Sequence, residues 1–169
     1  MKKLFTLVVL GLALAWGVDV QSKSKTTPTE QMKFGLEQRV HRPVVIPGDV
    51  LTILRQKSDL QTCNVEGGSR DKVPETWYEA SQIHLDGTNE ADLLVKARNA
   101  CMMGPNLGPF WVFRETVDGH SLVLSTLAAG LQILNTKTNG LRDIRTGALV
   151  GLKPSYVTYQ FDGHAYQPN

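Results

Sequence analysis

The sequence predicts an α+β domain, mainly an antiparallel β meander of about six to eight short strands, with one short N-terminal helix and one disulfide. From residue 77 onward, short runs rich in β-branched and aromatic residues alternate with Gly, Asn and Asp. Asp-Gly or Asn-Gly pairs stand at 86–87, 118–119, 139–140 and 162–163, and such pairs favour tight hairpin turns. The spacing leaves no room for the crossover helices that a parallel sheet requires.

The predicted elements follow from these patterns in chain order. Pro47-Gly48-Asp49 precedes apolar residues at helical spacing, which predicts one amphipathic helix ending near Lys57. The strands are predicted at residues 78–85, 92–96, 110–115, 121–125, 131–135, 142–146, 155–161 and 165–167. The Gly- and Pro-rich segment 97–109 is predicted to be a loop, where functional residues are often found.

The first residues indicate where the protein works. Lys2 and Lys3 precede an apolar run from residue 4 to 15, and small residues follow at Gly17 and again at Ser22. This is typical of a secretory signal peptide, which we place at 1–22, and the run is short for a membrane anchor. Residues 23–39 are polar and predicted to be a flexible linker, followed by a single β-rich domain at 40–169. We therefore expect a periplasmic or extracellular protein with no membrane association after cleavage.

The charge balance argues against an electrostatic partner. The chain has 18 Lys+Arg and 16 Asp+Glu, and Lys2 and Lys3 are lost with the signal peptide. The remaining chain is nearly neutral, so nothing favours nucleic acid or an anionic membrane. Nothing in the sequence implies a cofactor, and the oligomeric state stays open.

The two cysteines, Cys63 and Cys101, both follow the predicted signal peptide. An even number of cysteines in an exported protein favours a disulfide over a catalytic thiol. Closing a loop of this length stabilises a domain by about 4 kcal/mol in the chain-entropy model.

The segment 83–95 contains Asp86 and Asp92 on either side of a turn and resembles the strand–loop–strand of integrin-type FG-GAP repeats. That resemblance implies a calcium site, for which Asp86 and Asp92 are the metal candidates because calcium prefers carboxylate oxygens. The positions of two further ligands are occupied by His84 and Thr88, which have no carboxylate. A plain turn between two strands is therefore the alternative, and no metal is assigned.

Other polar residues are candidates for binding. His120 and His164 each follow an Asp-Gly turn, and neither has the spacing of a zinc site. Arg142 and Arg145 lie on a predicted strand that presents an arginine on each face, and Arg114 is a candidate neighbour. Trp111 completes the set as a possible recognition aromatic. A solvated sheet face with aromatics in the core is the alternative, and no catalytic residue is assigned because no catalytic motif is present.

Three separated motifs, F-W-V-F-R at 110–114, N-G-L-R-D-I at 139–144 and Y-Q-F-D-G-H-A-Y at 159–166, resemble those of small exported bacterial proteins of uncharacterised function. The resemblance implies a secreted bacterial origin and a shared β-rich fold. It implies no activity.

The preferred function is that of an exported binding module, such as an inhibitor or immunity-like protein that acts on another exported protein or envelope component. An enzyme is the less favoured class, and that alternative is an envelope-acting hydrolase with a site near the 97–109 loop. A calcium-stabilised adhesive module is the third hypothesis.

Overall fold

A computed structural model describes residues 30–60, 63, 65, 69–87 and 92–169. The predicted signal peptide and the first part of the predicted linker lie outside these residues, as does the 88–91 part of the turn proposed for calcium. The described chain contains ten strands, one α-helix and three 3-10 helices. The strands are β1 (Lys33–Gly35), β2 (Pro43–Val44), β3 (Tyr78–Ile83), β4 (Asp92–Ala97), β5 (Gly108–Thr116), β6 (Gly119–Ala128), β7 (Gly130–Thr138), β8 (Leu141–Val150), β9 (Lys153–Phe161) and β10 (Tyr166–Pro168).

The strands form two antiparallel sheets rather than one. The central sheet has the order β2-β3-β4-β5-β6, and the outer sheet has the order β1-β7-β8-β9-β10. Each sheet is a four-strand meander with one short strand from the N-terminal segment added at its edge. The antiparallel β fold is thus confirmed, but the strand number is higher than the predicted six to eight.

The division into two sheets occurs between β6 and β7, which are separated only by Ala129. Its backbone N–H donates to the carbonyl of Gly147 at 2.8 Å, and its carbonyl accepts from Leu36 N–H at 2.9 Å. These bonds join the bend to the outer sheet. A one-residue connection between two strands gives no sign in the sequence that the chain changes sheets there.

The central sheet is covered on both faces. Helix α1 (Gly48–Lys57) lies on one face, where Val50 and Leu54 pack with Trp111 and Phe113. The outer sheet covers the other face, where Phe110 and its neighbours meet side chains of the outer sheet. All six residues of β4 are buried. The helix lies where the sequence predicted it.

The glycines of the four predicted turns, Gly87, Gly119, Gly140 and Gly163, all have positive φ. Asn139 and Gly140 between β7 and β8 have φ of 50° and 87°, the pair of positive values that a type I′ turn needs. A further hairpin, with Gly151 at φ 63°, joins β8 to β9 and was not predicted from the sequence.

Residues before the predicted domain boundary at residue 40 also pack in this fold. β1 pairs with β7, and Phe34 and Leu36 are buried among the side chains between the two sheets. The part of the predicted linker from residue 30 therefore belongs to the folded domain, because its two apolar side chains complete the core.

Candidate functional site

The largest exposed apolar feature is the end of the β8–β9 hairpin. Four of its side chains, which we call the apolar hairpin, are exposed: Leu149 at 55%, Val150 at 68%, Leu152 at 99% and Val157 at 38%. Every residue from Leu149 to Val157 is at least partly solvent-facing, because the hairpin extends past the part of the molecule that packs. Leu149 and Val150 point to opposite faces of the hairpin, because they pair with Pro154 and Lys153 in turn. Exposed apolar side chains grouped at one end of a small domain are candidates for an interaction site.

A groove of about 520 Å³ adjoins this hairpin, and we call it the loop groove. The predicted 97–109 loop forms one wall with Met102, Met103 and Leu107, while Leu127 and Leu149 line the other side. Leu149 thus belongs to both the hairpin and the groove. The described lining of the loop groove has one carboxylate, Asp59, and no histidine, so the groove suits apolar contact better than acid–base chemistry.

The disulfide predicted from the sequence is confirmed and supports this groove. Cys63 and Cys101 are joined with their Cα atoms 5.2 Å apart, and Cys101 itself lines the loop groove. The bond ties the 97–109 loop to the segment that follows α1. It also indicates a non-cytoplasmic, oxidising compartment, where structural disulfides persist.

One edge of β9 is open along the apolar hairpin. β10 pairs with β9 only at residues 159–161, and Asn169 N–H reaches the carbonyl of Thr158. Between Lys153 and Val157, β9 pairs with β8 on one side, and within the described residues no strand pairs on its other side. Free backbone groups on such an edge are available to an added strand, although Pro154 and Lys153 limit nonspecific pairing.

A second, polar pocket of about 200 Å³ lies beside β2 and β3. Its lining includes His41, His84 and Glu30. Glu30 accepts from the backbone of His84 at 2.7 Å, lies 3.3 Å from the His84 ring, and pairs with Arg142 at 3.0 Å. Sequence reasoning missed this pocket because Glu30 falls in the predicted linker and His41 in the irregular chain before the helix.

The three candidate arginines lie in different environments. Arg142 pairs with Glu30, while Arg114 lies 6.0 Å from the Phe161 ring centroid. Arg145 is exposed on the outer sheet and contacts other residues. The predicted alternation along β8 is interrupted, since Asp143 and Ile144 are both buried, and the β7–β8 pairing changes register nearby. The three arginines therefore do not share one set of partners.

The two calcium candidates have different surroundings. Asp92 is buried, and its two carboxylate oxygens accept from the backbone N–H groups of Leu85 at 2.9 Å and Glu115 at 3.1 Å. Burial raises the pKa of Asp92, which those hydrogen bonds oppose. Asp86 accepts a bond from Lys137 through its backbone carbonyl. In the described ranges no three acidic, histidine or cysteine side chains form a metal-binding group.

Burial also affects Tyr166, which lies between the sheets. Desolvation raises the pKa of its phenol, and the negative charges of Asp92 and Asp143 act in the same direction. The hydroxyl therefore stays protonated and donates to the carbonyl of Arg142 at 2.6 Å. One oxygen of Asp143 is buried without a hydrogen-bond partner.

The remaining candidates are separated in the fold. His120 follows the β5–β6 turn and is held by Asp49 of α1 at 2.9 Å, whereas His164 lies in the β9–β10 turn, where its backbone N–H donates to Asp162. Their contacts have no residue in common. Trp111 is 1% exposed and packs edge-on against Tyr78 with ring centroids 5.8 Å apart, so its role in this fold is in the core.

Comparison with known proteins gives no match, since no protein-family model, curated protein or solved structure shows significant similarity to the chain. The fold and site define the class as a disulfide-linked, two-sheet antiparallel β domain with an exposed apolar hairpin. None of the described helices has the length and apolar character needed to cross a membrane.

Proposed function

We propose that the chain is an exported binding module, periplasmic or secreted through its N-terminal signal peptide, that engages another exported protein. The observation that carries the proposal is the apolar hairpin, whose leucine at the tip, Leu152, is 99% exposed. Burying such side chains in a partner removes apolar surface from water at about 25 cal/mol per Å². The disulfide agrees with an oxidising destination.

A protein partner is favoured over other envelope components by the combination of side chains and backbone at this end. The open edge of β9 offers main-chain hydrogen bonds to an extended segment, and the neighbouring leucines offer apolar contact. Strand addition uses both, with the backbone supplying affinity and the side chains supplying specificity. The partner is therefore a protein that presents an extended, apolar segment to β9, and a protein inhibited by this hairpin is one example.

The test uses a photo-crosslinking residue at position 152 of the mature protein, incubated with the envelope and secreted fractions of the native host. We expect one product, identified by mass spectrometry, whose purified form makes a stoichiometric complex with the protein. Leu149→Asp with Leu152→Asp should weaken that complex at least tenfold, because charges replace apolar contacts.

Val117→Asp is the matched control, since Val117 is fully exposed at the tip of the β5–β6 hairpin. This substitution should leave the affinity unchanged. The proposal is overturned if no crosslinked species forms a stoichiometric complex on reconstitution, or if Val117→Asp weakens the complex as much as the double substitution does.

A further inference from the structure

The solvent face of the outer sheet carries a third concavity, separate from the loop groove and from the polar pocket. This face groove has a volume of about 340 Å³ and crosses strands β1, β7, β8 and β9. Paired residues of an antiparallel sheet point to the same face. Two adjacent cross-strand rows run over this face, Lys33–Gln132–Arg145–Thr158 and Gly35–Gly130–Gly147–Tyr156, and all of these residues except Thr158 line the groove.

The second row explains why the surface is concave. Three of its four positions lack side chains, so the sheet backbone is the floor, and the exposed Tyr156 stands at one end. A Cβ built on Gly147 would lie 3.2 Å from the Tyr156 ring, which shows that the ring lies against the strand backbone there. An aromatic ring that covers a glycine on the neighbouring strand is a common arrangement, and it explains the pairing of Gly147 with Tyr156. At Gly130 a Cβ would lie 3.2 Å from the carbonyl oxygen of Phe34. At Gly35 a Cβ would lie 3.1 Å from the side chain of Gln38. The close approach of β1 therefore accounts for Gly130, and Gln38 lies against Gly35 at the other end of the row.

The first row supplies charge that is already oriented. Arg145 donates to the Gln132 amide oxygen at 2.8 Å, and its guanidinium carbon lies 5.5 Å from the centroid of the Tyr156 ring. These two contacts hold the exposed guanidinium of Arg145 over the groove. Because the side chain is already oriented, it loses less conformational entropy when a ligand binds. Lys33 is the second cation, and it lies on β1, beside Gln132 of β7. Two strand spacings separate Lys33 from Arg145, so their Cα atoms are about 10 Å apart.

We infer that the face groove binds an acidic carbohydrate chain, that is, linked sugar rings that carry carboxylates. Charge complementarity supports the assignment, because the lining has Lys33 and Arg145 and no carboxylate. Two cations whose Cα atoms lie about 10 Å apart, on strands separated by β7, suit a ligand with more than one negative charge better than one small anion. A sugar ring can place its C–H face against the exposed Tyr156 ring while its carboxylate pairs with Arg145.

This inference does not depend on the proposed protein partner. The hairpin substitutions leave Lys33, Gln132, Arg145 and Tyr156 in place, so either binding activity can fail while the other persists.

The test titrates the mature protein with an oligogalacturonate tetramer and follows amide shifts by NMR and heat by calorimetry. We expect saturable binding that weakens as salt rises, with the largest shifts at Gln132, Arg145 and Tyr156. A neutral maltotetraose should bind at least tenfold more weakly. Arg145→Gln should weaken binding of the acidic tetramer at least tenfold, and Tyr156→Ala at least fivefold, while Tyr156→Phe keeps the ring and should retain the affinity.

Arg98→Gln is the matched control, because Arg98 is exposed and its loss changes the net charge equally. Melting curves identify any variant that fails to fold. If Tyr156→Ala does not fold, the comparison of Arg145→Gln with Tyr156→Phe decides the result. The inference is overturned if the acidic tetramer does not bind, if the neutral tetramer binds equally well, or if Arg98→Gln has the effect of Arg145→Gln. Equal binding of a polyglutamate or single-stranded DNA probe would overturn the assignment to carbohydrate.

Discussion

Lys96 shows how a single residue joins the N-terminal segment to the core. Its ammonium group is buried in the central sheet and donates to the carbonyls of Gly35, Leu36 and Gln38. Glu79, also buried, lies 3.7 Å away and is paired on its other oxygen with Arg39 at 3.2 Å. Burial lowers the pKa of Lys96 and Glu79 opposes that change. The buried cation is therefore compensated by three carbonyls and a carboxylate.

Replacing Lys96 with Met should lower the free energy of unfolding by about 3–5 kcal/mol, since it leaves Glu79 buried with less compensation and three carbonyls without their donor. Urea unfolding at pH 7 measures the change. Lys57→Met on the exposed face of α1 is the control and should change stability by about 0.5 kcal/mol or less. Adding Glu79→Leu to Lys96→Met should recover part of the loss. A Lys96→Met protein as stable as the Lys57→Met protein would contradict this role.

Arg145 and Tyr156 show what sequence reasoning about single residues leaves out. Arg145 is a binding candidate from its place on a predicted strand, whereas the sequence pattern does not single out Tyr156, the aromatic residue that its guanidinium contacts. Which side chains meet across a sheet depends on strand register, and register depends on turns and bulges. Arg145 and Tyr156 lie on β8 and β9, and the register of these strands follows from the hairpin turn at Gly151, which the sequence analysis does not predict.

At the scale of elements, the strands found from the sequence are the ones bounded by Gly-containing turns. β3 to β10 were all predicted in position, because alternation and turn residues act locally. β1 and β2 were missed, since strands of three and two residues show no periodicity. The apolar hairpin was also missed as a surface, because its leucines and valines have the composition of a core strand and only the fold leaves them exposed.

The contact between α1 and the β5–β6 turn depends on one carboxylate. Asp49 accepts from both the backbone N–H and the ring of His120, at 2.9 Å each, and a Cβ on Gly119 would approach the same carboxylate to 2.8 Å. Burial raises the pKa of Asp49, but the hydrogen bonds from the His120 side chain and from the backbone of Val50 and His120 together outweigh it and lower the pKa below the usual value of 3.8. Its ionised form is thus favoured in the folded state.

Because the folded-state pKa of Asp49 is lowered, its contribution to stability is present above about pH 4 and is lost as pH falls through the lowered pKa. Asp49→Asn should therefore reduce stability at pH 7 by about 0.2–1 kcal/mol, since the carboxylate is partly exposed. The difference from the parent protein should shrink toward pH 2. Urea midpoints across that range measure it, with Asp118→Asn in the same turn as control. A difference that grows on acidification would refute the assignment.

At the scale of the whole molecule, the N-terminal segment joins the two sheets. β1 extends the outer sheet and β2 extends the central sheet, and the residues between them supply the carbonyls that accept from Lys96. The outer sheet therefore includes a strand from the predicted linker, and the same segment supplies the carbonyls that accept from Lys96 in the central sheet. The second core, between α1 and the central sheet, has the disulfide at its edge, with Cys63 and Cys101 packed against it.

Truncation tests this account of the molecule directly. A chain that begins at residue 30 should match the stability of one that begins at residue 23, because β1 and its contacts are retained. A chain that begins at residue 40 should lose several kcal/mol, since it lacks Phe34 and Leu36, each contributing about 1.5–3 kcal/mol by burial, and removes the partners of Lys96. Thermal and urea unfolding measure the stability of the three chains.

Phe34→Ala in the longest chain measures the contribution of this core side chain by itself, and we expect the free energy of unfolding to fall by about 3–5 kcal/mol. If the chain beginning at residue 40 is as stable as the others, residues 30–39 are a linker as the sequence suggested, and the two sheets hold together without them.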